Sequence, residues 1–362
     1  MNESSRRRLA FVGSVGIPNR YGGFEAFLEH TVPAMQTEGA DVVVTCDSAS
    51  YPDGPAEFNG TRRVFIPCPA NGAWSVLHDL LAFAATFSLA KCIFVLGVSG
   101  GIWFPFFRLA CSVTGRRLIV NVDGVEWQRG KFSGWKRSVL WLFDYLAQRF
   151  AHVVILDNSQ LHSRFPGKTV EIAYPGDYVI RLDLRRLPGT ALTVCRIEPE
   201  NNIEMLIEGA LISSLRSYTI IGNWNNSRYG RTIRARHADS PRLRLLDPVY
   251  DPAALARLRE TCEFYVHGHS VGGTNPSLVE MLFYDCRICC YDVPFHHATA
   301  GEHASYFSTA EQLAQLLNAE ERQGRSRDEL RQRYTRRNVA RQYLALCRRA
   351  ASGPAGSRTG NE

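Results

Sequence analysis

Short β-branched or apolar runs alternate with stretches of helical periodicity along almost the whole chain, and this alternation restricts the fold more than any other feature. In the first half the runs fall at residues 9–12, 42–45, 64–66, 92–96, 118–122 and 153–156. Between the first two, Phe24, Phe27, Leu28, Thr31 and Met35 recur at helical spacing just past the pair Gly22 and Gly23. Strand, loop, helix, strand in that rhythm predicts βα units around a parallel sheet. A second series follows at residues 191–195, 218–221, 243–246, 264–266 and 287–291, after the turn-forming Tyr174, Pro175, Gly176 and Asp177. The 362 residues therefore predict an α/β chain of two doubly wound, Rossmann-like domains with an interdomain cleft. The expected divisions are 1–174, 175–325, a basic helix over 326–350 and a disordered tail over 351–362. In such folds ligands bind at the carboxyl ends of the strands, so the loops there are where chemistry is sought.

Charge narrows the partners. The net charge is +7, yet residues 322–349 hold ten arginines against Asp328 and Glu329, which leaves the rest of the chain close to neutral. Basic residues are not interleaved with aromatics over a broad surface, so no nucleic-acid partner is expected. Residues 80–107 carry one charge, Lys91, and are long enough to cross a bilayer. Pro105 and the glycine-rich break at 97–101 favour a helix, a buried strand and a second apolar helix instead. Ten cysteines are scattered through apolar stretches and no secretory signal opens the chain, which fits a reducing cytoplasm. Cys286, Cys289 and Cys290 lack a second cysteine pair, and His267 and His269 lack a third ligand, so no metal is expected. Neither a G-x-G-x-x-G dinucleotide fingerprint nor a P-loop occurs, and no cofactor is expected.

Three loops, each after an expected strand, concentrate the polar and glycine residues. GIPNRYGGFE at 16–25 is either a tight turn or a place where the backbone approaches a phosphate. NVDGVEWQRGKF at 121–132 packs acids, bases and Trp127 together, as turn formers or as groups aimed into a cleft. The third, GHSVGGTNPSLVEM at 268–281, combines glycines, small hydroxyls and a helix start, with Glu280 placed to accept hydrogen bonds from hydroxyls.

Together with CRIEPENNIEMLIEG at 195–209, these motifs resemble the retaining GT-B glycosyltransferases of family 4, in particular a bacterial rhamnosyltransferase-like subgroup. The resemblance runs from about residue 9 to about residue 320. It implies an N-terminal acceptor-binding domain and a C-terminal nucleotide-sugar-binding domain. Glu280 matches the carboxylate that holds the donor ribose, while Gly272 stands where the family's other carboxylate contacts the donor sugar. Backbone N–H groups of Gly273, Thr274 and Asn275, with Ser277 nearby, are expected to replace that contact. Arg196 matches the arginine of the pyrophosphate clamp, and Asn201 replaces its lysine, with Arg228 and Arg231 as candidate substitutes. Gly22 and Gly23 match the N-domain loop that meets the donor phosphate. Asp123 lies near the expected reacting centre, so Asp123, Arg196 and Glu280 form the expected catalytic set. Tyr21, Phe24, Glu25, Glu126, Trp127 and Arg129 are the expected acceptor-binding set.

The implied reaction is sugar transfer with retention, independent of metal, in agreement with the absence of any D-x-D triplet. The implied donor is a nucleotide sugar, dTDP-rhamnose first and a UDP or GDP hexose next. The implied acceptor is a lipid-linked saccharide of capsule, exopolysaccharide or O-antigen synthesis. The rival is a non-catalytic sugar-nucleotide-binding protein, which Gly272 and Asn201 favour. Peripheral contact with the inner face of the cytoplasmic membrane is expected through two segments. One is the helix approached by Lys131, Trp135, Lys136 and Arg137, and the other is the arginine-rich C-terminal helix.

Overall fold

The computed structural model describes residues 7–20, 22–122, 134–161, 163–320 and 326–347. The first sheet contains β1 (Arg7–Val12), β2 (Ala40–Asp47), β3 (Glu57–Phe58), β4 (Thr61–Ile66), β5 (Cys92–Leu96), β6 (Arg117–Asn121), β7 (Val153–Leu156) and β8 (Thr169–Glu171). Its order is β3-β4-β2-β1-β5-β6-β7-β8, parallel except where β3 meets β4. Helix α1 (Gly23–Thr37) covers one face, and α2 (Ser75–Phe87), α3 (Phe104–Val113) and α4 (Trp135–Phe150) cover the other. Alternation along β1 explains the division. Leu9 and Phe11 enter the core beneath α1, and Ala10 and Val12 enter the core beneath α2 and α3. All five residues of β5 and all four of β7 are buried, as strands covered on both faces must be.

The second sheet contains β9 (Leu187–Val194), β10 (Ser217–Ile221), β11 (Leu243–Leu246), β12 (Cys262–His267), β13 (Arg287–Tyr291) and β14 (Ser305–Phe307), ordered β11-β10-β9-β12-β13-β14. Its helices are α5 (Ile203–Ile212), α6 (Arg228–Arg236), α7 (Pro252–Thr261), α8 (Pro276–Met281), α9 (Pro294–Ala300) and α10 (Ala310–Asn318). Each domain has a point where successive connections leave in opposite directions, between β1 and β5 in the first and between β9 and β12 in the second. The carboxyl edges of the two sheets face each other. After β7, the Asn158 side chain donates to Thr274 Oγ1 at 3.1 Å and to the Phe295 carbonyl at 3.1 Å. At the crossing between domains, a Cβ on Gly176 would lie 2.8 Å from Val279 Cγ1, so only glycine lets the chain pass there.

The C-terminus departs from expectation. The single basic helix is two helices, α11 (Asp328–Arg333) and α12 (Arg336–Leu346), separated because the Thr335 side chain caps α12 by accepting the Asn338 N–H. Helix α12 returns to the first domain, where Val339, Ala340, Tyr343 and Leu344 complete the core under α1. Tyr343 packs on Phe27 at 4.9 Å and its hydroxyl accepts from the Asn121 amide at 2.9 Å. Arg337 and Arg341 both reach Glu38 at 3.0 Å, and Arg336 reaches Asp177. The apolar side of this helix is therefore core, while its three arginines pair with acids of the protein and stay exposed. The span considered over 80–107 is divided into α2, β5 and α3, and no helix among the described residues is long and apolar enough to cross a membrane.

Candidate functional site

The loops after β1 and β5 meet at the first domain's switch point. Gly13 has φ +90° and packs so tightly that a Cβ would lie 2.6 Å from the Leu96 carbonyl oxygen. Gly22 precedes α1 in an extended conformation and Gly23 begins the helix with open space around it. Helix α1 thus starts at the carboxyl edge of the sheet, with the helix dipole's positive end and free N–H groups there. Glu25 turns away from that edge. Its carboxylate is buried and accepts the Val15 N–H at 2.8 Å, so this expected acceptor ligand shapes the loop instead. Phe24 is half-buried against the core and Gly97. Tyr21, Asp123, Glu126, Trp127 and Arg129 lie outside the described residues.

At the second switch point, Arg196 stands exposed just past β9, its Nε 3.7 Å from Glu198. Asn201 is buried and bridges two loops: its amide donates to the Arg196 carbonyl at 2.8 Å, and its oxygen lies 3.0 Å from His269 Nδ1. Asn201 thereby ties the backbone of Arg196 to the loop after β12. In that loop Gly272 has φ +136°, a conformation L side chains rarely adopt, and its Cβ would meet His269 Nε2 at 3.1 Å. A side chain at this position would be strained by that backbone. Gly273 approaches the first domain so closely that a Cβ would lie 2.3 Å from Asp157 Oδ1. Thr274 donates to the Asp157 carbonyl at 2.6 Å. The Asn275 oxygen accepts from the Ser277 N–H and hydroxyl, so Thr274, Asn275 and Ser277 chiefly hold the loop's form. Arg228 and Arg231 are exposed at the start of α6, and Arg231 donates to the Asn225 carbonyl.

Glu280 is mostly buried and doubly engaged. Its Oε1 accepts from the Tyr178 hydroxyl at 2.5 Å and its Oε2 pairs with Arg259. The Tyr178 ring stacks on His30 of α1 at 3.8 Å, which links Glu280 to the first domain. Burial lowers the His30 pKa, opposed in part by Glu29. A carboxylate has lone pairs to spare beyond these two donors, so the arrangement orients Glu280 without exhausting its acceptor capacity.

Two features escaped the sequence. Asp79 of α2 lies buried below the first switch point, where burial pushes its carboxyl up to about 7 against the Gly100 N–H. A Cβ on Gly100 would sit 2.6 Å from that of Asp79. A lone acid within the apolar sequence of α2 was the available signal. Below the second switch point, His267 and His296 pack edge to face at 4.8 Å, and burial pushes the His296 imidazole down to about 4. Cys286 and Cys290 belong to one core cluster and Cys289 to the other.

Residues 6–175 match a family described as a domain of unknown function, DUF1972. No curated protein matches the chain in sequence. Among solved structures, the chain is similar to sucrose-phosphate synthase from Thermosynechococcus elongatus, with TM-score 0.72 and 13% identity over 94% of this chain and 98% of that one. It is also similar to Anabaena HepE in complex with UDP and glucose, with TM-score 0.66 and 14% identity over 94% and 99%. A third similarity is to the lipopolysaccharide outer core galactosyltransferase WaaB, with TM-score 0.59 and 11% identity over 93% and 98%. Two facing parallel-sheet domains, closed by a helix that returns to the first, give this chain the GT-B fold that these glycosyltransferases share.

Proposed function

We propose that the chain is a retaining glycosyltransferase of the family 4 type. In this reading it moves a sugar, rhamnose from dTDP-rhamnose foremost, from a nucleotide donor to a lipid-linked saccharide in surface polysaccharide synthesis at the inner face of the cytoplasmic membrane. The observation that carries the reading is Arg196, an exposed guanidinium at the second switch point, whose backbone carbonyl is held through Asn201 beside the glycine loop 268–275. Such a group suits a diphosphate, and the facing start of α1 suits the same charge. That HepE was solved with UDP and glucose supports a nucleotide-sugar donor. In the proposed step the bond from the anomeric carbon to the diphosphate oxygen breaks. The acceptor oxygen bonds that carbon on the same face, and its proton passes to the departing diphosphate. Arg196 would stabilise the charge that develops there, with no metal required.

A non-catalytic sugar-nucleotide-binding protein is the second reading, favoured by Gly272 and Asn201, which replace two charged groups of the resembled pattern. Titration calorimetry with dTDP-rhamnose, UDP-glucose and GDP-mannose, followed by assay for released nucleotide, separates the two. Donor binding with turnover is expected, and binding without turnover favours the second reading. Arg196→Ala is expected to weaken donor binding roughly ten- to a hundredfold, the worth of a charge-assisted hydrogen bond. Unchanged affinity would remove Arg196 from the site.

A further inference from the structure

Among the described residues, ten of the sixteen exposed large hydrophobic side chains lie on α2, α3, α4 and the turns that start them. These three helices cover the same face of the first sheet and pack side by side. Helix α3 is apolar on both sides. Phe104, Phe107 and Cys111 enter the core, while Ile102, Phe106, Leu109 and Val113 form a second stripe at helical spacing that faces outward. Phe106 is 66% and Val113 78% exposed, so the stripe is not the rim of the core. Leu77 and Leu81 extend it on α2, and Trp141 and Leu142 extend it on α4. The six remaining exposed hydrophobics are distributed over β8, the interdomain segment and the second domain, as isolated surface residues commonly are.

Charge identifies the occupant. The acids on these helices are Asp79 and Asp144, and both are buried. The helices instead turn Lys136, Arg137 and Arg149 outward on α4. A two-fold interface with a second copy must be self-complementary, and helices that among the described residues show exposed cations but no exposed acid are not. An apolar stripe flanked by cations and by exposed tryptophans matches the interfacial zone of an anionic bilayer. Trp74 and Trp135, 61% and 71% exposed, stand at the starts of α2 and α4. Because each helix follows a strand, those starts lie at the carboxyl edge of the sheet, beside the cleft.

We propose that the outer face of the α2, α3 and α4 layer docks on an anionic lipid bilayer, with Trp74 and Trp135 setting the mouth of the cleft at the lipid surface. This names the membrane-facing surface of the transferase proposed above and rests on that reading for its purpose. An acceptor with a lipid anchor would then enter the cleft without leaving the bilayer.

The test is co-sedimentation of the full chain with vesicles of phosphatidylcholine, with and without phosphatidylglycerol, beside calorimetric donor binding on the same preparation. Binding is expected to the mixed vesicles and to weaken as salt is raised. Phe106→Ser with Leu109→Ser is expected to reduce binding about tenfold or more, and Lys136→Ala roughly fivefold. Both sets of side chains are exposed, so an unchanged melting temperature is expected to accompany the loss. Vesicle binding that the substitutions leave unaltered would overturn the proposal. So would donor binding without vesicle binding, or a dimer that the same substitutions dissociate while vesicles are ignored. Vesicle binding lost with these substitutions, in a protein that binds no donor, would uphold the surface and overturn the transferase reading.

Discussion

Asp79 shows how one residue ties the site to stability. Its carboxyl titrates at about 7 in the folded chain against an ordinary value of 3.8, because burial disfavours the charged form. Above about pH 4 the unfolded chain has lost this proton while the folded chain still holds it. Stability therefore falls as pH rises from about 4 to about 7 and levels off beyond, by an amount on the order of 4 kcal/mol at most. Asp79→Asn keeps an acceptor for the Gly100 N–H and removes the titration. Urea unfolding at pH 5 and pH 8 is expected to show that this variant has lost most of the difference seen in the parent. An equal fall in both proteins would assign the pH dependence to other groups. Gly272 illustrates the limit of the sequence at this scale: the departure from the resembled pattern was legible in the letters, whereas the positive φ beside His269, which a side chain would strain, needed the backbone. Glu25 failed in the other direction, since a polar residue in a glycine loop reads equally well as a ligand or as a buried clamp, and the Val15 N–H decides for the clamp.

At the scale of elements, legibility follows burial. The runs read at 92–96, 153–156, 243–246 and 287–291 coincide with β5, β7, β11 and β13, because buried parallel strands leave unbroken apolar sequence. The strands that escaped, β3, β8 and β14, are two or three residues long, which gives no period to detect. Helix α12 was legible as a helix but not in its role, since its arginines dominated the reading while Val339, Tyr343 and Leu344 carried the contact. Its importance to the first domain is testable through Tyr343, whose ring lies in the core under α1. Tyr343→Ala is expected to destabilise the chain by about 3–5 kcal/mol, the usual effect of removing a buried aromatic ring. Tyr343→Phe keeps the ring and removes the hydrogen bond from Asn121, an effect of about 1 kcal/mol. Thermal or urea unfolding of both variants measures the split. Near-equal losses would mean that the polar contact, not the packing of α12, holds the helix in place.

Across the whole molecule, the two domains are joined by contacts between residues far apart in sequence, such as Asn158 and Thr274, 116 positions from one another. No periodicity or motif announces such a pair, and this is why the cleft was legible as an architecture while its closing contacts were not. One tight approach is backbone to side chain: Gly273 of the second domain against the buried Asp157 of the first. Neither partner has a long flexible side chain to swing aside. Gly273→Ala must therefore move the loop or part the domains, and the hydrogen bonds from Thr274 and Asn158 are attached to the same two segments. Losing one such bond is worth about 1 kcal/mol, or roughly fivefold in the opening equilibrium. Hydrogen exchange is expected to quicken by at least that factor in peptides from both sides, 153–161 and 268–278, while β9 and β10 stay protected. If only the peptide from 268–278 quickened, the loop would be yielding alone. The contact would then not be what keeps the two carboxyl edges together, and closure would depend on the stack of His30 on Tyr178 and the return of α12.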